Sequence, residues 1–239
     1  MQYTPIKTRV IEPPQDDLMA VLNESLTTVD EGDVLVITSK VVSIHLGLCI
    51  PKAEVETHAL TEAEADHVMY KAPGKTLPLT IKHHTLLYRA GIDSSNSGDY
   101  YTVLPKDPYR EAAHIRTHVQ HQYGVKNLGV IISDSTVLPF RKGVVGISLG
   151  VAGFVPFRTH DPSQKDLFNE PVIATSTNLA DALAAGASVV SGEADESTPI
   201  VQIKNVPNIT FTDQVIEADY LMPPERDLYR PLLDHFFES

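Results

Sequence analysis

Gly129-Val130-Ile131-Ile132-Ser133-Asp134-Ser135-Thr136-Val137-Leu138-Pro139-Phe140-Arg141-Lys142-Gly143 opens as a β-branched apolar run and turns polar at Ser133. Val130-Ile131-Ile132 has the length and composition of a buried strand. A carboxylate and three hydroxyls, Ser133 to Thr136, are therefore expected where that strand ends. Oxygen ligands on a loop positioned by a rigid strand suit a hard cation such as Mg²⁺ or Mn²⁺, and Arg141 and Lys142 are cations of the kind that meet phosphate oxygens. The same composition describes an ordinary polar turn, because Ser and Asp are common turn formers. The rest of the chain decides between the two.

A chain of 239 residues with 42% hydrophobic and 21% charged content builds a real core and reads as a soluble globular protein. No apolar run is long enough to span a bilayer, and Met1-Gln2-Tyr3-Thr4-Pro5 lacks the basic and apolar regions of a secretory signal, so a cytoplasmic location without membrane contact is expected. The single cysteine, Cys49, excludes an internal disulfide framework and a Cys-rich zinc site. A net charge of −12 argues against a general nucleic-acid binder. An anionic ligand has to be met locally, by metal or by a few cations.

Thr4 to Ile11 alternates apolar and polar residues as a short strand does, and Pro13-Pro14 closes it. Asp16-Asp17 stand at the cap and first turn of a helix carrying Leu18, Val21, Leu22 and Leu26. Val34 to Ile37 is a buried strand by composition, delivering Thr38-Ser39-Lys40 at its end. Lys40 reads either as a solvated lysine or as a phosphate contact, but it interrupts an otherwise apolar segment running to Ile50.

Thr61 and Glu64 have the form of a capping box, with Ala63, His67 and Tyr70 following on a helix as far as Pro73-Gly74. His83 and His84 point to opposite faces if they lie in a strand, and read as structural or surface histidines. Gly91-Ile92-Asp93-Ser94-Ser95-Asn96 is a turn by composition, or a loop carrying a carboxylate metal ligand at Asp93 with Asn96 curling back toward the same ligand. Asp107-Pro108 starts a helix that ends near Gly124. The glycines after Gly143 match neither a dinucleotide fingerprint nor a Walker loop. Pro156 to Pro171, with Asp161, Lys165 and Asp166, is a surface loop or a lid. Leu179 to Val190 is an alanine-rich helix stopped by Gly192. Glu193-Ala194-Asp195-Glu196 follows at once, before a strand at Ile200 to Ile203. Three acidic loops thus follow regular elements, and each taken singly is ordinary acidic surface.

Taken in order, Gly32 to Ser43, Gly91 to Asn96, Leu104 to Pro108, Ile132 to Ser135 with Pro139 to Gly143, Ala152-Gly153, and Ala180-Asp181 through Gly192 to Glu196 resemble the coenzyme F420-0:γ-glutamyl ligase family across nearly the whole chain. The resemblance implies a mixed α/β fold with mixed and antiparallel sheets, an intertwined homodimer, and one domain over 1–239 with residues 58–90 and 155–172 peripheral. It implies a ligase that uses GTP or ATP with Mg²⁺ or Mn²⁺ to activate an acceptor carboxylate as an acyl phosphate and join it to L-glutamate. Carried onto this chain, it makes Asp93, Asp134, Ser135 and Glu193 metal ligands. It puts Ser39, Lys40, Asn96, Gly192, Ala194, Asp195, Glu196 and the segment Arg9, Val10, Ile11, Glu12 at nucleotide positions, and gives Asp134, Arg141 and Lys40 catalytic roles.

Two cations common in the family are absent. Ile44 stands where a lysine follows the Val-Ser pair, and Leu138 where an arginine precedes the proline. Each lost charge-assisted hydrogen bond costs about 1.5–3 kcal/mol if nothing replaces it. The acceptor is accordingly F420-0 or, as an alternative, a folate, and a nucleotide- and metal-binding relative without ligase activity is the remaining reading. Retention of every carboxylate argues against that last one.

Overall fold

A computed structural model describes the chain except residues 70–77, 160–162, 164, 172–175, 215–219 and 238–239. Tyr70, Pro73-Gly74 and Asp161 lie outside the described residues.

The centre is the run expected to be a strand after Gly32. β2 (Asp33–Thr38) is buried from Asp33 to Ile37, as a strand covered on both faces must be. It pairs in parallel with β8 (Leu128–Val137) and antiparallel with β12 (Ile200–Lys204). β1 (Gln2–Ile6) flanks β12 and β9 (Val144–Ala152) flanks β8, giving the order β1-β12-β2-β8-β9. The period of two then divides the side chains. Leu35, Ile37, Val130 and Ile132 join a core with α1 (Leu18–Ser25), α2 (Ser39–His45) and α4 (Pro108–Tyr123). Val34, Val36, Ile131 and Val201 join a second core with Ala180, Leu183, Ala184 and Ala187 of α5 (Leu179–Ser191). The fold is mixed α/β, with helices on both faces of a mixed sheet.

Helix ends follow the expected chemistry. The Asp17 carboxylate accepts from the Met19 and Ala20 amides, and that of Asp107 from the Arg110 amide ahead of Pro108. Gly124 closes α4 with φ 69°.

Several expectations are corrected. β1 begins at Gln2 and ends at Ile6, and Thr8 instead donates its amide to the Ser197 carbonyl. β8 does not end at Ser133, because β9 keeps pairing with it as far as Val137↔Val144. β2 does stop there, with Thr38↔Ser133 as its last rung. The polar stretch is thus strand, with one side open beyond the end of β2. A bulge accompanies the change: Ile132 faces Gly150 and Ser133 faces Ser148, leaving Leu149 extra. Thr61 is no cap, since it lies inside α3 (Thr57–Glu64) and its hydroxyl donates to the Thr57 carbonyl. The chain after α3 enters a short strand, β4 (His67–Val68), rather than more helix. His83 and His84 are not in a strand. With φ of 51° and 56° they form the two-residue turn joining β5 (Leu79–Lys82) to β6 (Thr85–Tyr88), the twist that a tight hairpin requires.

Lys40 falls in the first turn of α2, directly off the carboxyl end of β2. Among the described residues no helix is long and apolar enough to cross a membrane.

Candidate functional site

Where β2 ends and β8 runs on, the open side of β8 faces a cavity of about 480 Å³. Its wall brings together Ser39 and Lys40 from α2, Asp93, Ser95 and Asn96 from the loop after β6, and Asp134 and Ser135 from β8. The far side is Gly192 to Glu196 after α5 and the Thr8 to Ile11 segment after β1. The acidic loops that were separate in sequence therefore meet at one place.

Lys40 Nζ lies 2.8 Å from Asp93 Oδ2 and donates to Ser95 Oγ at 2.9 Å. The Ser95 amide and hydroxyl both donate to Asp93 Oδ1, at 2.7 and 2.8 Å. Burial works to raise the Asp93 pKa, but the hydrogen bond and charge of Lys40, with the two bonds from Ser95, hold it below its ordinary value. Asp134 goes the other way. Burial above all, and the nearby Asp93 charge, push it up to about 7 against the Ser135 amide, Lys40 and the Ser39 hydroxyl.

Ser135 Oγ donates to Glu193 Oε1 at 3.2 Å, tying β8 to the loop after α5. Asn96 Nδ2 donates to the Ala194 carbonyl at 2.7 Å, a second tie across the cavity. Behind them Glu196 accepts the Ala194 amide at 2.8 Å, and backbone hydrogen bonds hold its carboxyl below the usual range. Gly192 permits this turn: at φ 72°, ψ 175° it occupies a region that is essentially glycine's alone, and a Cβ there would stand 2.2 Å from Glu196 Cδ. Lys7 Nζ donates to the Glu196 carbonyl at 2.7 Å, joining the same loop to the N-terminal segment.

Three expected residues behave differently. Arg9 lines the cavity, but its guanidinium forms a fork with Asp16 at 2.6 and 2.8 Å and reaches Glu24 at 3.2 Å, so its charge is already met. Glu12 is not on the wall, and its amide donates to Asp16. Arg141 is exposed in the turn between β8 and β9, away from the cavity. The ribbon from Asp134 to Val137 spans roughly 10 Å at strand rise, more than a guanidinium recovers by bending back. Residues on the wall that pattern did not single out include Thr8, Ser188 and Ser191. Hydroxyls inside an apolar helix or segment carry no distinctive spacing.

Among the described residues, no three His, Cys, Asp or Glu groups stand close enough together to hold a metal ion. The donors present are carboxylates and hydroxyls, with Asp134 loaded by the charge of Asp93. That set would suit a hard cation such as Mg²⁺ or Mn²⁺, since Mg²⁺ takes one or two carboxylates and completes its shell with other oxygens.

Residues 5–205 match the model of the F420-0:Gamma-glutamyl ligase family. The chain belongs to this family. The match covers every loop of the cavity, from Thr8 to Glu196. The Coenzyme F420:L-glutamate ligase of Methanopyrus kandleri is 32% identical over 237 residues, covering 91% of this chain and 92% of the relative. That of Methanothermobacter thermautotrophicus is 32% identical over 231 residues, covering 89% and 90%. That of Methanocaldococcus jannaschii reaches 40% over 158 residues, covering 66% of this chain and 62% of the relative.

Proposed function

We propose that this F420-0:γ-glutamyl ligase family member joins L-glutamate to the terminal carboxylate of F420-0, using GTP or ATP with Mg²⁺ or Mn²⁺. The observation that carries the reading is the convergence of Lys40, Asp93, Asp134, Ser135 and Glu193 on one cavity in a chain of this family. A free carboxylate does not form an amide in water. Its oxygen attacks the γ-phosphorus, the bond to the β-phosphate oxygen breaks, and a nucleoside diphosphate leaves. The amine of glutamate then attacks the acyl carbon, inorganic phosphate leaves, and the ammonium proton passes to solvent or a cavity carboxylate. One or two of the carboxylates Asp93, Asp134 and Glu193, with Ser135, would hold the cation, and it would supply charge neutralisation for the phosphates. Lys40, whose ammonium lies 2.8 Å from Asp93, would turn to the transferring group. Asn96 and the loop from Gly192 to Glu196 hold the nucleotide against α2.

The reading includes a homodimer. The β8 to β9 turn carries Val137, Leu138 and Val144 half exposed and Phe140 fully exposed, an apolar surface suited to a second copy. Sedimentation at micromolar concentration tests it.

One observation favours keeping a folate as the alternative acceptor. Ile44 lines the cavity wall and is 1% exposed, so an apolar patch stands where the family commonly has a lysine. The experiment is phosphate release with L-glutamate, each nucleotide and each metal, offering F420-0 or tetrahydrofolate, with mass analysis of the acceptor. A gain of glutamyl mass on F420-0 is the expected result. Gain on the folate alone reassigns the acceptor, and gain on neither, with nucleotide still bound, sinks the ligase reading.

A further inference from the structure

Asp93, Ser95 and Asn96 sit on a loop that regular structure supports only at its root. There Asp93 and Thr102 exchange both backbone hydrogen bonds, at 2.9 and 3.0 Å. Beyond the root, Asn96 and Gly98 have φ of 48° and 56°, and the carbonyls of Ser94 and Gly98 come to face one point. The groove they face holds the ammonium of Lys52, which lies just past β3 (Cys49–Pro51). Lys52 Nζ donates to the Ser94 carbonyl at 3.1 Å and to the Gly98 carbonyl at 2.5 Å. Its own amide donates to the Asp99 carbonyl at 2.9 Å. The ammonium also lies 5.8 Å from the centre of the Tyr101 ring, whose hydroxyl is bonded to Thr57 at 2.7 Å.

We infer that Lys52 is a positioning residue for the nucleotide site: its ammonium is the fixed cation around which the Asp93 to Asp99 loop is wrapped. Lys52 does not line the cavity and touches none of the groups that face it, so it acts through the loop. Two carbonyl dipoles converging on one point repel each other unless a cation stands between them, and charge-assisted bonds are about twice as strong as neutral ones. With the ammonium in place, the turn that presents both Ser95 donors to Asp93 Oδ1 is fixed, and Asp93 Oδ2 is left facing Lys40. The same turn aims Asn96 across the cavity at Ala194. Without it the far end of the loop keeps the Ser97 hydroxyl on the Tyr100 carbonyl and the Lys52 amide on the Asp99 carbonyl, but the Ser94 and Gly98 carbonyls lose the group that draws them together. The inference rests on the nucleotide reading above for its functional consequence, but not for its structural one.

The test uses the full chain, Mn²⁺ and a non-hydrolysable GTP analogue. Lys52→Met keeps the aliphatic stem and removes the charge. It is expected to weaken binding of the Mn²⁺–analogue by about tenfold or more, to raise KM for the nucleotide similarly, and to leave kcat at saturation within about threefold. Amides of Ser94 to Gly98 are expected to exchange hydrogen faster while the β2 and β8 amides stay protected. Lys52→Arg, which keeps the charge, is expected to recover most of the affinity. Unchanged binding and unchanged loop exchange in Lys52→Met overturn the inference. So does loss of affinity accompanied by faster exchange throughout the sheet, which is the signature of general destabilisation. A wild-type protein that binds no Mn²⁺–analogue overturns the ligase reading instead, and loop exchange still decides the part played by Lys52.

Discussion

Asp134 is largely buried near the Asp93 carboxylate, and its environment makes stability and activity pull in opposite directions. Its pKa rises from 3.8 to about 7, so the folded chain holds this proton more tightly than the unfolded chain does. Below the unfolded value both states are protonated and nothing is lost. As pH climbs from there through about 7, the folded state loses stability that the neutral side chain would have kept. Asp134→Asn is therefore expected to stabilise the metal-free protein at pH 8 by up to about 4 kcal/mol, with less gain at pH 5. Phosphate release should fall by about a hundredfold or more in the same variant. Denaturant unfolding at the two pH values, with a chelator present, checks the first part. Gly192→Ala is expected to cost about 1–3 kcal/mol for the backbone region it would occupy and to weaken nucleotide binding by moving Glu196, read by melting and by titration. Asp93, Asp134 and Glu193 stood out in the sequence as carboxylates at polar breaks after apolar runs or a helix, and they share one cavity wall although Asp134 lies inside β8 rather than after it. Arg141 has the same local look and stands elsewhere, since composition does not say how far a ribbon carries its tip.

Among the elements, β8 and β9 do the most to shape the site, because one outruns its parallel neighbour and the other keeps it from fraying. Gly150 on β9 faces the start of α4 so closely that a Cβ would lie 2.4 Å from the Pro108 carbonyl carbon and oxygen. Gly150→Ala is expected to destabilise the protein by about 1–3 kcal/mol or more, measured by urea unfolding, because backbone rather than a movable side chain stands in the way. Strands β2 and β12 and helices α1, α4 and α5 were all readable from sequence, where buried runs, Asp caps and terminal glycines agree. The extent of β8 was not, since Ser133 to Thr136 look like a turn until Val145 to Ser148 are known to lie alongside. Nor was α3, whose buried Thr61 imitates a cap while satisfying its hydroxyl within the helix.

Across the whole molecule, a net charge of −12 and a cavity with Asp93, Asp134, Glu193, Asp195 and Glu196 on its wall repel a nucleoside triphosphate. Lys40 and Arg9, the basic side chains on that wall among the described residues, are both engaged by carboxylates. Removing divalent metal with a chelator is thus expected to weaken nucleotide binding by about tenfold or more, read by calorimetry with and without Mg²⁺. The order of the strands was invisible in the sequence, because no local pattern says that β12 slots between β1 and β2. That placement bears on how the protein is made. A nascent chain that has left the ribosome only as far as α5 has its first strand without a partner and a gap beside β2 where the last strand belongs. The loop from Gly192 to Glu196, which walls the cavity opposite Lys40, Asp93 and Asp134, leads directly into β12, and the Thr38 amide meets the Pro199 carbonyl where that strand begins. Synthesis from the N-terminus thus keeps the cavity open-sided until Ile200 to Lys204 arrive, and chains abandoned part-way carry fragments of a site but never the site.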